Sequence, residues 1–229
     1  MARTGKIVLW TALAALLVGG SAVVLPIFIS AGRADYVRVA SIKETRDYQD
    51  PALLRKAWAL PVAAAYRADI DFQQNGSVCG PASLVNVLHS LKQPGNQDSI
   101  LQGSGFSTVM GYLPEGTTLD QLAAIARQKL QRQVTVLRDL DLAAFREQLT
   151  HVNDPARRYV INFSRGPLFG TGGGHHSPIA AYLNQEDLVL VLDVNKKYGP
   201  WLVKPDRLYE AMDTVDATTQ KKRGLLLIE

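Results

Sequence analysis

The sequence predicts an α+β fold, with helices in the first part of the domain and an antiparallel β-sheet in the second. Apolar residues recur at helical spacing in the first part, and short apolar runs bounded by turn residues dominate the second. Hydrophobic residues make up 47% of the chain and charged residues 20%, which is typical of a globular protein and argues against a wholly disordered one.

Residues 1–31 are predicted to form a membrane anchor or a signal segment. Arg3 and Lys6 precede residues 7–30, which contain no charged side chain. About 20 apolar residues suffice for a helix to span a bilayer, whereas the apolar cores of signal peptides contain about 7–15 residues. An uncleaved transmembrane helix is therefore favoured over a cleaved signal peptide. The preceding basic residues favour an extracytoplasmic, periplasmic location for the rest of the chain, either anchored in the inner membrane or secreted.

Residues 32–54 are polar and charged and are interpreted as a stalk or N-terminal arm, and residues 55–229 as one domain. The net charge is +4, and no basic run exceeds the three residues 221–223. This charge distribution argues against nucleic-acid binding. The sequence does not distinguish a monomer from a homodimer.

The helices are predicted from end signals and apolar spacing. Pro81 is tolerated in a first helical turn, Thr118 and Gln121 form a capping box, and Asp141 precedes a further amphipathic run. The predicted helices cover residues 51–58, 81–92, 119–130, the segment after Asp141, and 205–212. The predicted strands cover residues 134–137, 159–163, 177–183, 188–194, 201–203 and 224–228.

The single cysteine, Cys79, excludes an internal disulfide and a four-thiolate metal site within one chain. A lone cysteine is most often an inert core residue. Cys79, however, lies in a turn that enters a helix, where the helix dipole and free N–H groups stabilise a thiolate. Gly80 allows a substrate or another segment to approach closely. Gln73 lies within reach across the turn as an oxyanion donor.

A thiol nucleophile requires a base, and four histidines are available. His89 lies ~15 Å along the helix from Cys79, and His151 follows a helix. His175 and His176 follow a glycine run and precede a predicted strand. Because successive strand residues point to opposite faces, only one of this pair is expected to face the cleft. Adjacent histidines also occur in solvated loops and weak metal pairs.

An acidic group is expected to orient the base, and Asp193 ends an apolar run on the neighbouring hairpin strand. A buried carboxylate is costly without a partner, and an imidazole would supply one. The order of cysteine, histidine and carboxylate is typical of papain-like thiol enzymes.

Four blocks carry a more specific resemblance. They are CGPASL from Cys79, GGHHSPIAAY around His175, LDVNKKYGPW around Asp193, and AMDTVD followed by KRG, which contain Asp216 and Arg223. Residues 55–229 resemble the phytochelatin synthase family, and more closely its short bacterial members, which comprise the catalytic domain alone. Val78 and Lys196 depart from the residues common in that family.

The resemblance implies a papain-like fold with a helical half, a sheet half and a cleft between them. It implies a glutathione γ-glutamylcysteinyltransferase, with His175 as the base, Asp193 as its orienting group and Gln73 in the oxyanion hole. Asp216 and Arg223 match positions that hold the γ-glutamyl part of the substrate. His176 stands where the family usually has an apolar residue.

We expect hydrolysis of glutathione to dominate over transfer to a second glutathione, which would give a phytochelatin. No tightly bound cofactor is expected, and Cd²⁺ or Zn²⁺ would bind substrate thiolates, in a role in metal detoxification. Two alternatives remain open at this point: a papain-like peptidase acting on leader or cell-wall peptides, and a non-catalytic thiol binder.

Overall fold

The structure is a computed structural model that describes residues 39–66 and 70–229. The predicted anchor or signal segment, residues 1–31, lies outside the described residues. Within the described ranges, no helix combines the length and the apolar character that crossing a bilayer requires.

The described residues form a mixed fold of helices and one antiparallel sheet, as the α+β prediction requires. The sheet has six strands in the order β1-β6-β2-β3-β4-β5, and every neighbouring pair is antiparallel. The strands are β1 (Val134–Arg138), β2 (Arg158–Ser164), β3 (Gly174–Leu183), β4 (Leu188–Leu192), β5 (Pro200–Val203) and β6 (Gly224–Ile228).

All five predicted helices are present, with end shifts of up to two residues, and the structure adds two short ones. The helices are α1 (Pro51–Trp58), α2 (Pro61–Tyr66), α3 (Cys79–Ser90), α4 (Leu119–Lys129), α5 (Leu142–Thr150), α6 (Gly166–Phe169) and α7 (Pro205–Met212), with 3₁₀ turns at Ile42–Glu44 and Ser99–Leu101. The capping box at the start of α4 is present, and the Asp141 carboxylate accepts from Ala144 N at 2.8 Å. The sequence did not predict α2 and α6, which are only six and four residues long.

Helices cover both faces of the sheet, so the expected separation into a helical half and a sheet half is incomplete. Along β2, Val160 packs in one apolar cluster, whereas Ile161 and Phe163 pack in a second. Helices α1–α4 contribute to the first cluster and α5–α7 to the second. The physical reason is that β4 and β6 are buried at every residue and therefore need cover on both sides.

The segment interpreted as an arm is packed against the domain from residue 39 onward. Ile42 and Tyr48 are buried, and Tyr48 O accepts a hydrogen bond from Leu202 N of β5 at 2.8 Å. Helix α1 crosses the predicted boundary between residues 54 and 55. Part of the predicted arm therefore contributes to the fold.

Two differences in element boundaries bear on the site. Helix α3 begins at Cys79, two residues before the predicted start, because Pro81 occupies its first turn, where no N–H is needed. Strand β3 begins at Gly174 rather than at residue 177, so His175 and His176 lie within the strand.

Substitution of Gly224 tests the close packing of β6 against β1. A β-carbon at Gly224 would overlap the carbonyl oxygen of Leu137, which is backbone and cannot rotate away. We expect Gly224→Ala to lower the free energy of unfolding by about 1–3 kcal/mol, measured by urea denaturation. Gly76→Ala is the control, because a β-carbon there meets no atom within 4 Å. Equal stabilities for the two variants would contradict this account.

Candidate active site

Cys79 is the first residue of α3 and is 8% exposed. The preceding Val78 makes no side-chain capping bond, so no side chain caps the N–H groups of the first turn. The helix dipole places partial positive charge at this end and stabilises an anion there. The prediction that Cys79 lies where a turn enters a helix is confirmed.

His175 and Asp193 are joined by a buried hydrogen bond. His175 Nε2 lies 3.0 Å from Asp193 Oδ1, and the two residues are 4% and 0% exposed. The Phe163 ring packs nearly perpendicular to the imidazole, with 5.5 Å between ring centroids. Because Nε2 faces the carboxylate, Nδ1 is the nitrogen that remains for Cys79.

Asp193 has three further partners. Arg165 Nη2 donates to Oδ1 at 2.8 Å, and Nη1 lies 2.8 Å from Oδ2. Trp201 Nε1 donates to Oδ2 at 3.1 Å, and Asn195 N donates to Oδ1 at 2.9 Å. The Arg165 guanidinium also stacks on Tyr198, 3.9 Å from the ring centroid. The carboxylate is thus kept ionised and fixed in place without solvent.

Sequence reasoning missed Arg165, although one signal was present. Arg165 directly follows the apolar strand β2 and precedes a Gly-Pro pair, where an exposed loop residue would be the ordinary reading. In the structure it is 6% exposed. One pattern could have identified it: a lone arginine ends a buried strand, and the chain contains a candidate buried carboxylate that needs a counter-ion.

The pKa values of the three groups follow from these contacts. Burial alone would raise the pKa of the Cys79 thiol, but the charge of His175 and hydrogen bonds with both histidines hold it well below its usual value. Burial opposes protonation of His175, but the Cys79 thiolate and Asp193 raise its pKa above the ordinary range. Despite burial, His175 and Arg165 keep the pKa of Asp193 well below its usual range. A thiolate–imidazolium pair is therefore favoured at pH values between the lowered pKa of Cys79 and the raised pKa of His175.

His176 also contacts the nucleophile, which corrects the expectation that only one histidine of the pair faces the site. Its Nδ1 lies 3.9 Å from Cys79 Sγ. Along the backbone the alternation holds, because His176 is paired with Asn162 and His175 with Phe163. The two histidines are the second and third residues of β3, at the start of the strand, where Cys79 is within reach of both.

A cavity of about 420 Å³ opens beside Cys79. His176, Asp216, Arg223 and residues 114–118 are among the residues that line it. Arg223 Nη1 lies 3.0 Å from Asp216 Oδ2 and donates to Asn162 Oδ1 at 3.2 Å. The structure therefore brings the two predicted substrate-binding residues to the same cavity as the nucleophile.

Gln73 and Gly80 have other contacts in this structure. Gln73 Nε2 donates to Asn75 O at 2.7 Å, and Gln73 N donates to Val194 O at 2.8 Å. Gln73 is not among the described residues that line the cavity, so its place in the oxyanion hole stays a prediction. A β-carbon at Gly80 would overlap Thr117 Oγ1, so the segment that approaches Gly80 closely belongs to the protein itself.

The remaining histidines lie apart from this site. His89 Nε2 lies 2.9 Å from the carbonyl oxygen of Gly95 on an exposed part of the surface, and His151 follows the last residue of α5. Within the described ranges, no group of three or more His, Cys, Asp or Glu side chains is arranged to hold a metal ion.

A cysteine at a helix start and an imidazole held by a buried carboxylate place the chain in the class of proteins with a Cys-His-Asp site. The family model described as phytochelatin synthase matches residues 49–225. The chain therefore belongs to the phytochelatin synthase family.

Curated relatives agree with this assignment. The chain is 31% identical over 170 residues to glutathione gamma-glutamylcysteinyltransferase 3 of Lotus japonicus, covering 68% of this chain and 35% of the relative. It is 27% identical over 171 residues to the glutathione gamma-glutamylcysteinyltransferase of Schizosaccharomyces pombe, covering 69% and 41%. The chain thus matches well under half the length of these relatives.

Among solved structures, the chain is similar to the peptidase domain of Streptococcus ComA, a bi-functional ABC transporter involved in quorum sensing. The TM-score is 0.48 at 16% sequence identity, covering 70% of this chain and 96% of that one.

The pH dependence of Cys79 reactivity tests the role of His175. We expect alkylation by iodoacetamide to titrate well below the pKa of about 8.5 of a free cysteine, and His175→Ala to move the inflection back toward that value. Modification of Cys79 is followed by mass spectrometry across pH. The control is His89→Ala, which removes an exposed histidine on the same helix. Coincident profiles for the two variants would show that His175 does not act on the thiol.

Substitution of Arg165 tests how much its ion pair with the buried Asp193 carboxylate stabilises the protein. Arg165→Met leaves Asp193 charged and buried without its guanidinium partner, so we expect the free energy of unfolding to fall by about 3–5 kcal/mol. Arg146→Met is the matched control, because Arg146 pairs with Asp187 and Asp206 at the partly exposed surface and should cost less than about 1 kcal/mol. A similar loss in both variants, by urea denaturation, would contradict the role given to Arg165.

Proposed function

We propose that the chain is a thiol acyltransferase and hydrolase that cleaves the Cys–Gly bond of glutathione through a γ-glutamylcysteinyl thioester on Cys79. The observation that carries the proposal is the placement of Asp216 and Arg223 on the same cavity as Cys79. The γ-glutamyl end of glutathione carries an α-ammonium and an α-carboxylate. An aspartate and an arginine side by side match that pair of charges.

The first half-reaction transfers the acyl group to the enzyme. His175 Nδ1 takes the proton of Cys79, and the thiolate attacks the carbonyl carbon of the Cys–Gly peptide bond. The Cys79 N–H and the side-chain amide of Gln73 stabilise the oxyanion, and one such donor is worth about 3–4 kcal/mol in comparable sites. The C–N bond then breaks, His175 returns the proton to the leaving amine, and glycine departs.

The second half-reaction releases the acyl group. Water attacks the thioester carbonyl, His175 accepts its proton, and the Cys79 sulfur leaves, giving γ-glutamylcysteine. The α-amino group of a second glutathione in place of water would give a phytochelatin. We propose that hydrolysis dominates, and that Cd²⁺ or Zn²⁺ enters the site as a complex with substrate thiolates.

Arg223 is suited to receive a carboxylate at this position. Its Nη1 is shared between Asp216 and Asn162, and its buried Nε has no hydrogen-bond partner among the described residues. Because Arg223 lines the cavity, a carboxylate bound there can contact the guanidinium that Asp216 holds in place. Burial lowers the pKa of Arg223. An arginine guanidinium is nevertheless charged at neutral pH in proteins.

We also propose that the domain acts outside the cytoplasm, as a membrane-anchored or secreted enzyme. The support is the uncharged stretch of residues 7–30 behind two basic residues. Fractionation of cells with a tagged full-length chain, with protease added from the outside, tests this location. Protection of the tagged domain from the protease in intact spheroplasts would reject it.

Mass spectrometry of the full-length chain with glutathione tests the reaction. We expect an adduct of γ-glutamylcysteine on Cys79 and release of free glycine, with neither observed for Cys79→Ser. The products formed later distinguish hydrolysis from transfer. If the folded protein gives no glycine and no adduct, the glutathione proposal fails. Cleavage of a leader or cell-wall peptide would then favour a thiol peptidase.

Asp216 tests recognition of the γ-glutamyl end. Asp216→Asn removes the charge that pairs with the α-ammonium, so we expect kcat/KM for glutathione to fall about 10–100-fold while alkylation of Cys79 is unchanged. The control is Asp213→Asn, whose partner Lys222 is a surface residue. Wild-type enzyme should also discriminate against N-acetylated glutathione, and the Asp216 variant should not. Equal discrimination by both would exclude Asp216 from this role.

A further inference from the structure

His176 has an unusual environment for a histidine beside a nucleophile. It is 2% exposed, its Nδ1 lies 3.9 Å from Cys79 Sγ, and it lines the cavity that contains Asp216 and Arg223. Its other nitrogen, Nε2, is buried and has no hydrogen-bond partner among the described residues. None of the steps proposed above uses this side chain.

The position of Nδ1 decides between the two neutral tautomers of His176. With the proton on Nε2, a bare lone pair on Nδ1 would face the anionic sulfur, and the buried N–H would point at no acceptor. With the proton on Nδ1, the ring donates to Cys79 Sγ, and Nε2 is left as an acceptor. A buried, unmatched group is costly in either case, but only the second tautomer gains a charge-assisted hydrogen bond.

We propose that His176 is a second catalytic histidine, which donates its Nδ1–H to the Cys79 thiolate while His175 accepts and returns the proton. The inference rests on Cys79 being the nucleophile of the proposed function. The two histidines then have different tasks on one sulfur. His175, paired with Asp193, cycles between neutral and charged forms, whereas His176 keeps its donor on the sulfur and holds the anion in place.

The charged and titratable groups around this pair come from several elements. His175 lies beside His176 on β3, and Asp193 follows β4. Asp216 and Arg223 precede β6 and line the cavity, as does Glu115. Apart from His175, none of these groups hydrogen-bonds to Cys79 Sγ, so removing the His176 donor takes away one of the two histidine contacts that lower the pKa of the thiol.

The test is the pH profile of Cys79 alkylation by iodoacetamide in full-length variants at position 176. His176→Asn places an amide nitrogen near the position of Nδ1, and His176→Gln places it near Nε2. We expect the inflection of His176→Asn to match wild type. That of His176→Gln and of His176→Phe should rise by about one pH unit, with about tenfold slower alkylation at pH values below it.

Two outcomes would overturn the proposal. Coincident profiles for the Asn and Gln variants would show that a donor at the Nδ1 position has no special effect, even if the Phe variant does not fold. A wild-type pH profile for a folded His176→Phe would show that no polar group at position 176 affects the thiolate. Urea midpoints of each variant establish folding. Because the assay uses no glutathione, a wrong substrate assignment would leave its result unaffected.

Discussion

The buried carboxylate of Asp193 is the group on which the rest of the site depends. An ionised carboxylate without solvent is stable only if its oxygens are fully occupied, and here an arginine, an indole, a backbone N–H and an imidazole occupy them. Satisfying that carboxylate fixes the ring of His175. Three of these partners come from different strands: Arg165 directly follows β2, His175 lies in β3 and Trp201 lies in β5. The carboxylate therefore joins these strands at one end of the sheet.

A second ion pair, Arg223 with Asp216, lines the cavity beside Cys79, whereas the Arg165–Asp193 pair is buried away from it. The Arg223–Asp216 pair borders open space, and Gly174 makes room for it, since a β-carbon there would lie 2.9 Å from the guanidinium carbon. The glycine that begins β3 thus admits an arginine beside the two histidines. The Arg165–Asp193 pair is buried and fixes His175, whereas the Arg223–Asp216 pair borders the cavity in which we propose that the substrate binds.

Much of this arrangement could be predicted from the sequence, and the remainder has physical reasons. The cap at Thr118, the helix after Asp141 and the strand β6 depend on local signals, which the sequence carries directly. Cys79, His175 and Asp193 were found because chemistry restricts their types and order. The contacts of Arg165 with Asp193 and of His176 with Cys79 join residues that are distant in the sequence. No local sequence pattern encodes such contacts.

The segment around Tyr48 has a consequence for how the domain can be divided. Strand β5 is an edge of the sheet, and the backbone of Tyr48 pairs with Leu202 along that edge while its ring stacks on Trp201. Unpaired edges invite association with other chains. A protein that begins at residue 55 would leave the edge of β5 unpaired and open to association. It would also loosen Trp201, whose indole donates to Asp193, so a recombinant protein should begin at or before residue 39.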